Sequence, residues 1–433
     1  MTTEQNSTLK FSELPLLPVI QAAIKKAGYE SPTPIQAQAI PHLLEGKDLL
    51  GCAQTGTGKT AAFALPIIQR IVESRYRPSP KNVNCLILTP TRELALQIYE
   101  NFKTYSAGTS LHCAVVYGGV GINPQIHAVR DGVDVLIATP GRLLDLIGQK
   151  KLVLTQVKTF VLDEADRMLD MGFIHDIRKV LFLLPHQRQT LFFSATMPAE
   201  ITKLASTMLK NPVHVAVNPV SSTAERVEQY VMYVEQSKKR DLLRHLLQDP
   251  KFYKVIVFTR TKHGANRVAD ILSKNRIPAE AIHGNKSQNA RQRALENFKN
   301  DKIQVLIATD IAARGIDIDA ITHVINYEVP NVAENYVHRI GRTARAGLGG
   351  IAISFCDVEE KAFIRDIEKT IGQKIEVMRD HPYHSDAVEN AHTLSKGKAK
   401  AQMERREDKK HNPFKKKRNF FSKFKDRKKK DSK

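Results

Sequence analysis

The spacing of apolar and polar positions divides the chain into two similar halves. VNCLILTP (83–90), VDVLIATP (133–140), KTFVLDEAD (158–166) and QTLFFSATM (189–197) are apolar runs that end in small or polar residues. Apolar runs without alternation predict strands covered on both faces, as in parallel sheets. Segments with helical spacing, such as TRELALQIYENFKTY, lie between them. Alternating strand and helix predicts a doubly wound α/β sheet. A second series follows: KVIVFTRT (254–261), IQVLIATD (303–310), THVINY (322–327) and GIAISFCD (350–357). IQVLIATD echoes VDVLIATP, so two α/β domains of one architecture are expected, at 1–212 and 227–380. The two prolines and Ser-Ser-Thr cluster near 213–226 read as a linker. Beyond about residue 380 periodicity fails and lysines dominate, so 381–433 reads as a disordered basic tail.

Charge sharpens this picture. Of the net +21, the last 41 residues contribute +13, from 18 Lys/Arg against 5 Asp/Glu. A mildly basic body with a strongly basic tail points to a polyanionic partner. No apolar stretch approaches the length of a membrane span, and MTTEQNSTLK carries no secretory signal. Cys52, Cys85, Cys113 and Cys356 lack metal-ligand spacing and read as reduced thiols of a cytoplasmic protein.

Two short segments carry chemistry. AQTGTGKT (53–60) lies between a short strand, GKDLLGC, and a helical pattern, AAFALPIIQRIVES. It departs from the usual phosphate loop, G-x-x-x-x-G-K-[ST], only in having Ala53 for the first glycine. Gly56 and Gly58 let backbone amides turn towards phosphate at a helix N-terminus. Lys59 can reach terminal phosphates and the Thr60 hydroxyl can ligate Mg²⁺. The second segment, VLDEAD, supplies Asp163 for the same metal and Glu164 to orient or deprotonate an attacking water.

Together these segments resemble the DEAD-box family of ATP-dependent RNA helicases, whose signature has alanine at the position of Ala53. GYESPTPIQ (28–36), PTRELA (90–95), Gly118-Gly119, TPGR (139–142), SAT (194–196), VFTRT (257–261), TDIAARGID (309–317) and HRIGRTARAG (338–347) match its other motifs in order. The resemblance implies two tandem RecA-like domains and an RNA-stimulated ATPase using ATP and Mg²⁺. It places Gln36 on the adenine edge, with Tyr29 and Phe11 as the nearby aromatics. Gln54, Thr55 and Thr57 complete the phosphate loop, and Asp317 meets the ribose. Arg342 and Arg345 become arginine fingers, and His338 bridges the domains. Ser194, Thr196 and Asp166 couple ATP to RNA. Arg92, Gly119, Thr139 and Arg142 in the first domain, and Gly284 and Thr309 in the second, contact RNA through its backbone and 2′-OH. Arg339, Arg342 and Arg345, three residues apart, would lie near one helix face. Ala344 departs from the family's usual second glycine in this motif.

LDEADRMLDMGFIHDIRKVL, VFTRTKHGAN and AIHGNKSQNARQRAL further resemble the bacterial RhlE-type subgroup, with ribosome biogenesis or RNA decay as expected settings. The tail interleaves Phe414, Phe420, Phe421 and Phe424 with lysines, a composition suited to stacking on bases and neutralising phosphates. An ATP-gated RNA clamp, a DNA helicase and a tail-driven RNA chaperone remain alternative readings. No membrane partner is expected, and the oligomeric state is open.

Overall fold

The computed structural model describes residues 9–53, 56–217, 227–313, 321–343 and 349–411. They form two compact units, each built around one sheet of seven parallel strands.

The strands of the first unit are β1 (Leu49–Cys52), β2 (Val83–Leu88), β3 (Cys113–Val116), β4 (Val133–Ala138), β5 (Thr159–Leu162), β6 (Gln189–Ser194) and β7 (Val213–Ala216). Their spatial order is β3-β4-β2-β5-β6-β1-β7. Every residue of β2, β4, β5 and β6 is buried, as their unbroken apolar runs require. Alternate residues feed two cores. Ile87, Val161 and Phe193 face one with α2 (Pro34–Leu44), α3 (Lys59–Ser74) and α4 (Arg92–Tyr105). Leu86, Leu162 and Phe192 face the other. A fully buried phenylalanine contributes roughly 2–3 kcal/mol, so interior pairs such as Phe192 and Phe193 fix the register.

The second unit has β8 (Val227–Tyr233), β9 (Val255–Phe258), β10 (Ala279–Ile282), β11 (Val305–Ala308), β12 (His323–Asn326), β13 (Gly350–Cys356) and β14 (Glu376–Val377). Its order, β10-β11-β9-β12-β13-β8-β14, repeats the first unit strand for strand. The echo between VDVLIATP and IQVLIATD therefore marks equivalent strands, β4 and β11.

Three boundaries differ from the sequence reading. Val213–Ala216, placed in the linker, is the edge strand of the first sheet and pairs with β1. Its burial alternates because an edge strand has one exposed flank. The span 381–411, read as disordered, contains two helices, α16 (Asp386–Glu389) and α17 (Lys396–His411). Polar contacts attach it to the second unit: Lys361 Nζ donates to the carbonyls of Glu389 and Ala391, at 2.5 and 2.6 Å, and Lys396 meets Asp366 at 2.5 Å. The helix carrying Arg339, α14 (Ala333–Ile340), stops before Arg342, so Arg339 and Arg342 do not share a helical face, and Arg345 lies outside the described residues. The remainder of the linker, 218–226, and the phenylalanine-rich end, 412–433, lie outside the described residues.

Candidate active site

The chemistry-bearing residues collect at the carboxyl ends of the strands, where open α/β sheets bind ligands. In the first unit, adjacent strands β5, β6 and β1 end in Asp163-Glu164, Ser194 and Ala53. The backbone N–H of Ala53 donates to Ser194 O (3.0 Å), extending the β1–β6 pairing into the loop. Ala53 is buried in the core, so a methyl group is accommodated at the position where a phosphate loop usually has glycine.

Gly56 and Gly58 have φ of +88° and +92°. A Cβ on Gly58 would lie 2.4 Å from Gln36 Nε2, so both the backbone and the neighbouring Gln36 side chain require glycine. Lys59 is buried, and its Nζ donates to Ala53 O at 2.8 Å. Gln36 closes a capping box at the start of α2: Oε1 accepts from Thr33 N (2.9 Å), while Nε2 donates to Gly58 O (3.0 Å).

Asp163 and Glu164 are only 2% and 3% exposed. Glu164 adopts a left-handed backbone, φ 56° and ψ 51°, as the N-cap of α7 (Ala165–Asp170). Such a conformation in a non-glycine residue costs on the order of 1–3 kcal/mol and clusters at functional sites. Its carboxylate pairs with Arg167 one helical turn on. Next in sequence, Asp166 forms a latch to β6: Oδ2 accepts from the backbone N–H and hydroxyl of Thr196, both at 2.9 Å. Asp166 N donates to Ser194 Oγ (3.3 Å), which donates to Thr196 O (2.7 Å). The latch joins the acidic segment to SAT.

The other half of the sheet, β3-β4-β2, presents the phosphate-reading candidates. Arg92 begins α4 just beyond β2, under the N-cap Thr91. Gly119 has φ +81°, and a Cβ there would fall 2.1 Å from Arg92 Nη1. Thr139 is the N-cap of α6 (Pro140–Gly148), and Arg142 Nη2 donates to Val120 O at 3.0 Å. Arg142 Nη1 is buried without a protein partner. In the second unit, the matching half, β10-β11-β9, ends in Gly284 and Thr309. Gly284 has open space where a Cβ would be.

A DEAD/DEAH box helicase family model matches residues 33–204, and a helicase conserved C-terminal domain model matches 238–347. The DEAD-box ATP-dependent RNA helicase CshA of Bacillus subtilis is 44% identical over 386 residues, covering 88% of this chain and 76% of that protein. The chain belongs to the DEAD-box ATP-dependent RNA helicases. CshA of Listeria monocytogenes is also 44% identical, over 86% of this chain and 70% of its own. Among solved structures, S. cerevisiae Dbp5 bound to RNA and ADP BeF3 matches at TM-score 0.76 and 32% identity, covering 85% of this chain and 95% of that one. Mss116p bound to ssRNA and AMP-PNP matches at TM-score 0.77 and 30% identity, covering 87% and 81%.

As a DEAD-box site, the acidic pair fits a divalent cation. Asp163 Oδ1 is buried with no hydrogen-bond partner, and Thr60 opens α3 beyond Lys59. Burial pushes the Asp163 carboxyl up to about 6, opposed by the Lys59 ammonium and reinforced by the Glu164 carboxylate. A metal ion would supply the positive charge this carboxylate lacks.

The aromatics divide. Tyr29 is 47% exposed and available for stacking, whereas Phe11 is buried in the core and its N–H donates to Glu30 O, at 3.1 Å. Phe11 thus braces the segment carrying Tyr29 and has no open ring face of its own. Arg342 is buried, with Nε donating to His338 O (3.3 Å), and His338 lies in the last turn of α14. Gln54, Thr55, Asp317, Ala344 and Arg345 lie outside the described residues.

Two partners within the quoted motifs escaped the sequence reading. Arg167 follows Glu164 by three, a spacing that predicts contact once α7 is drawn. Arg339, read as part of a basic face, is buried and holds Asp310 with two bonds, at 2.6 and 2.9 Å. It also donates to Asn326 Oδ1 and Glu328 O, and lies 5.0 Å from the Phe258 ring. Only the topology brings Asp310 and Arg339 together.

Proposed function

We propose that this helicase separates short RNA duplexes or remodels RNA–protein complexes by bringing its two domains together on ATP and RNA. The observation that carries this reading is the division of the first sheet. One half ends in the nucleotide residues, the other in the phosphate readers, and the Asp166–Thr196–Ser194 latch ties the acidic segment to β6. The acidic segment also meets the other half at β2, where Asp163 N donates to Leu88 O (3.0 Å), so binding at one half can bias the backbone of the other through a hydrogen-bonded connection.

In this reading Lys59 exchanges Ala53 O for a phosphate oxygen, and Glu164 orients the attacking water. Asp163 and Thr60 would hold Mg²⁺, which would supply charge neutralisation to the phosphates. Arg342 and Arg345 stabilise charge on the transferred phosphoryl group, a contribution worth roughly 10³–10⁵ in rate in other NTPases. ATP energy is spent on releasing RNA and resetting the domains, not on stepping along a strand. The 412–433 segment acts as an RNA tether that raises RNA concentration near the core.

The placement is cytoplasmic, with RNA decay or ribosome assembly as the setting. The RhlE-type assignment rests on the quoted stretches alone, since the curated relatives found carry the name CshA.

The test is steady-state ATP hydrolysis without nucleic acid, with single-stranded RNA and with DNA of the same sequence, beside Glu164→Gln. Stimulation by RNA alone, lost in the variant while ATP binding persists, is expected. Equal stimulation by DNA would overturn the substrate assignment, and no stimulation would overturn the coupling.

A further inference from the structure

Beyond β14 the chain reads HPYHSDAVENAH (381–392), away from every helicase motif. Here His384 Nε2 lies 3.3 Å from Asp386 Oδ1 and 3.1 Å from Glu389 Oε2. All three ligand atoms fall within 4.8 Å of one another. Neither contact is aligned as a hydrogen bond, and both ring nitrogens of His384 are buried without a hydrogen-bond partner. An imidazole nitrogen facing two carboxylate oxygens must either carry a proton or share a cation with them. The separations have the length of ligand edges: a tetrahedral ion with bonds of about 2.0–2.1 Å places its ligands about 3.3 Å apart.

We propose that His384, Asp386 and Glu389 form a binding site for a zinc-class divalent cation, with a fourth position open to water. The donor set selects the metal. An imidazole nitrogen disfavours Mg²⁺ and Ca²⁺, and one nitrogen with two carboxylates suits Zn²⁺. Asp386 is exposed, which leaves an entry path. Glu389 is fixed by Arg379, whose Nε and Nη2 hold its two oxygens at 3.1 and 2.5 Å. With Arg379 holding both oxygens, Oε2 still retains capacity for a second partner. Two carboxylates against one guanidinium leave the cluster with a net negative charge before an ion enters.

The position gives the site a consequence. Ser385 N donates to Tyr233 O (3.1 Å), and Lys361 holds the carbonyls of Glu389 and Ala391. The metal would clasp the chain where it leaves the second domain for α17 and the basic end, so occupancy would set how firmly that extension is anchored.

The test uses the full chain stripped with chelator and titrated calorimetrically with Zn²⁺ alone, without nucleotide. Expected is one site whose affinity falls at least tenfold in His384→Gln and in Asp386→Asn. Co²⁺ should give a tetrahedral visible spectrum in the parent that both variants lose. Asp386 is exposed, so its replacement leaves folding intact and a loss of binding is interpretable. Zn²⁺ uptake unchanged in both variants would place the metal elsewhere and overturn the proposal. Failure of the parent to bind Zn²⁺ would overturn it too.

Discussion

Asp163→Asn should stabilise the nucleotide-free first domain while abolishing ATP hydrolysis. In the folded protein the Asp163 carboxyl titrates near 6 against 3.8 for the free side chain, because burial outweighs the attraction of Lys59. As pH rises from about 4 to about 6 the unfolded chain releases this proton first. The folded state therefore loses stability through that window and stays lower at neutral pH. A gap of roughly two pKa units corresponds to about 3 kcal/mol. Asparagine imitates the protonated acid, and its extra N–H donors in a buried site offset about 1 kcal/mol of the gain. Hydrogen exchange of the β5 and β6 amides reads the opening of this domain by itself. At pH 7.5 and without nucleotide, these amides should exchange about 10–100-fold more slowly in Asp163→Asn than in the parent. At pH 4.5 the two proteins should match, since comparison at one pH cancels the intrinsic exchange rate. Mg²⁺ and ATP should reverse the order, protecting the parent and leaving the variant unchanged. Faster exchange in the variant at pH 7.5 would refute the reasoning, because it would mean the Asp163 charge is satisfied within the protein.

Thr196→Ala removes the hydroxyl bond to Asp166, about 1–2 kcal/mol of the latch, so duplex unwinding should fall about tenfold while RNA-stimulated ATPase persists; the ratio of the two rates is the check. Gly119→Ala combines φ +81° with a Cβ 2.1 Å from Arg92 Nη1, so Arg92 must move. RNA affinity should drop about tenfold with ATP binding in the absence of RNA unchanged, measured by fluorescence anisotropy and calorimetry. Arg339→Lys cannot reproduce the paired bonds to Asp310 and should lower second-domain stability by about 3 kcal/mol, read from hydrogen exchange in β11 and β12.

The interior strands were legible because each is buried on both faces and is mainly apolar until its chemical end. The run QTLFFS became β6 with every residue buried, and the two-fold echo became two identical strand orders. What the sequence concealed was settled by long-range partners. VHVA looked like linker because an edge strand needs apolar residues on only one flank. Residues 386–411 looked disordered because they have few apolar side chains. Three lysine contacts, and Met403 buried beside the Arg260 guanidinium, hold them instead. HRIGR looked like a basic face because one-dimensional spacing cannot reveal that Asp310, 29 residues earlier, waits beside Arg339.

The geometry of Gln36 also supports the proposed reading of adenine by this residue. Thr33 N requires an acceptor and Gly58 O requires a donor, so the Gln36 amide has a single orientation that satisfies both. Each end is only half used: Oε1 keeps a second lone pair and Nε2 a second hydrogen. Adenine offers a donor at N6 beside an acceptor at N7, and so can take the remaining capacity without breaking either bond. Guanine offers acceptors at both O6 and N7. Its O6 would face Oε1, and relief by flipping the amide would break the bonds to Thr33 and to the phosphate loop together. Because Gln36 also packs against Gly58, where the loop turns left-handed before Lys59, rejecting the wrong base and disturbing the phosphate site become the same structural event.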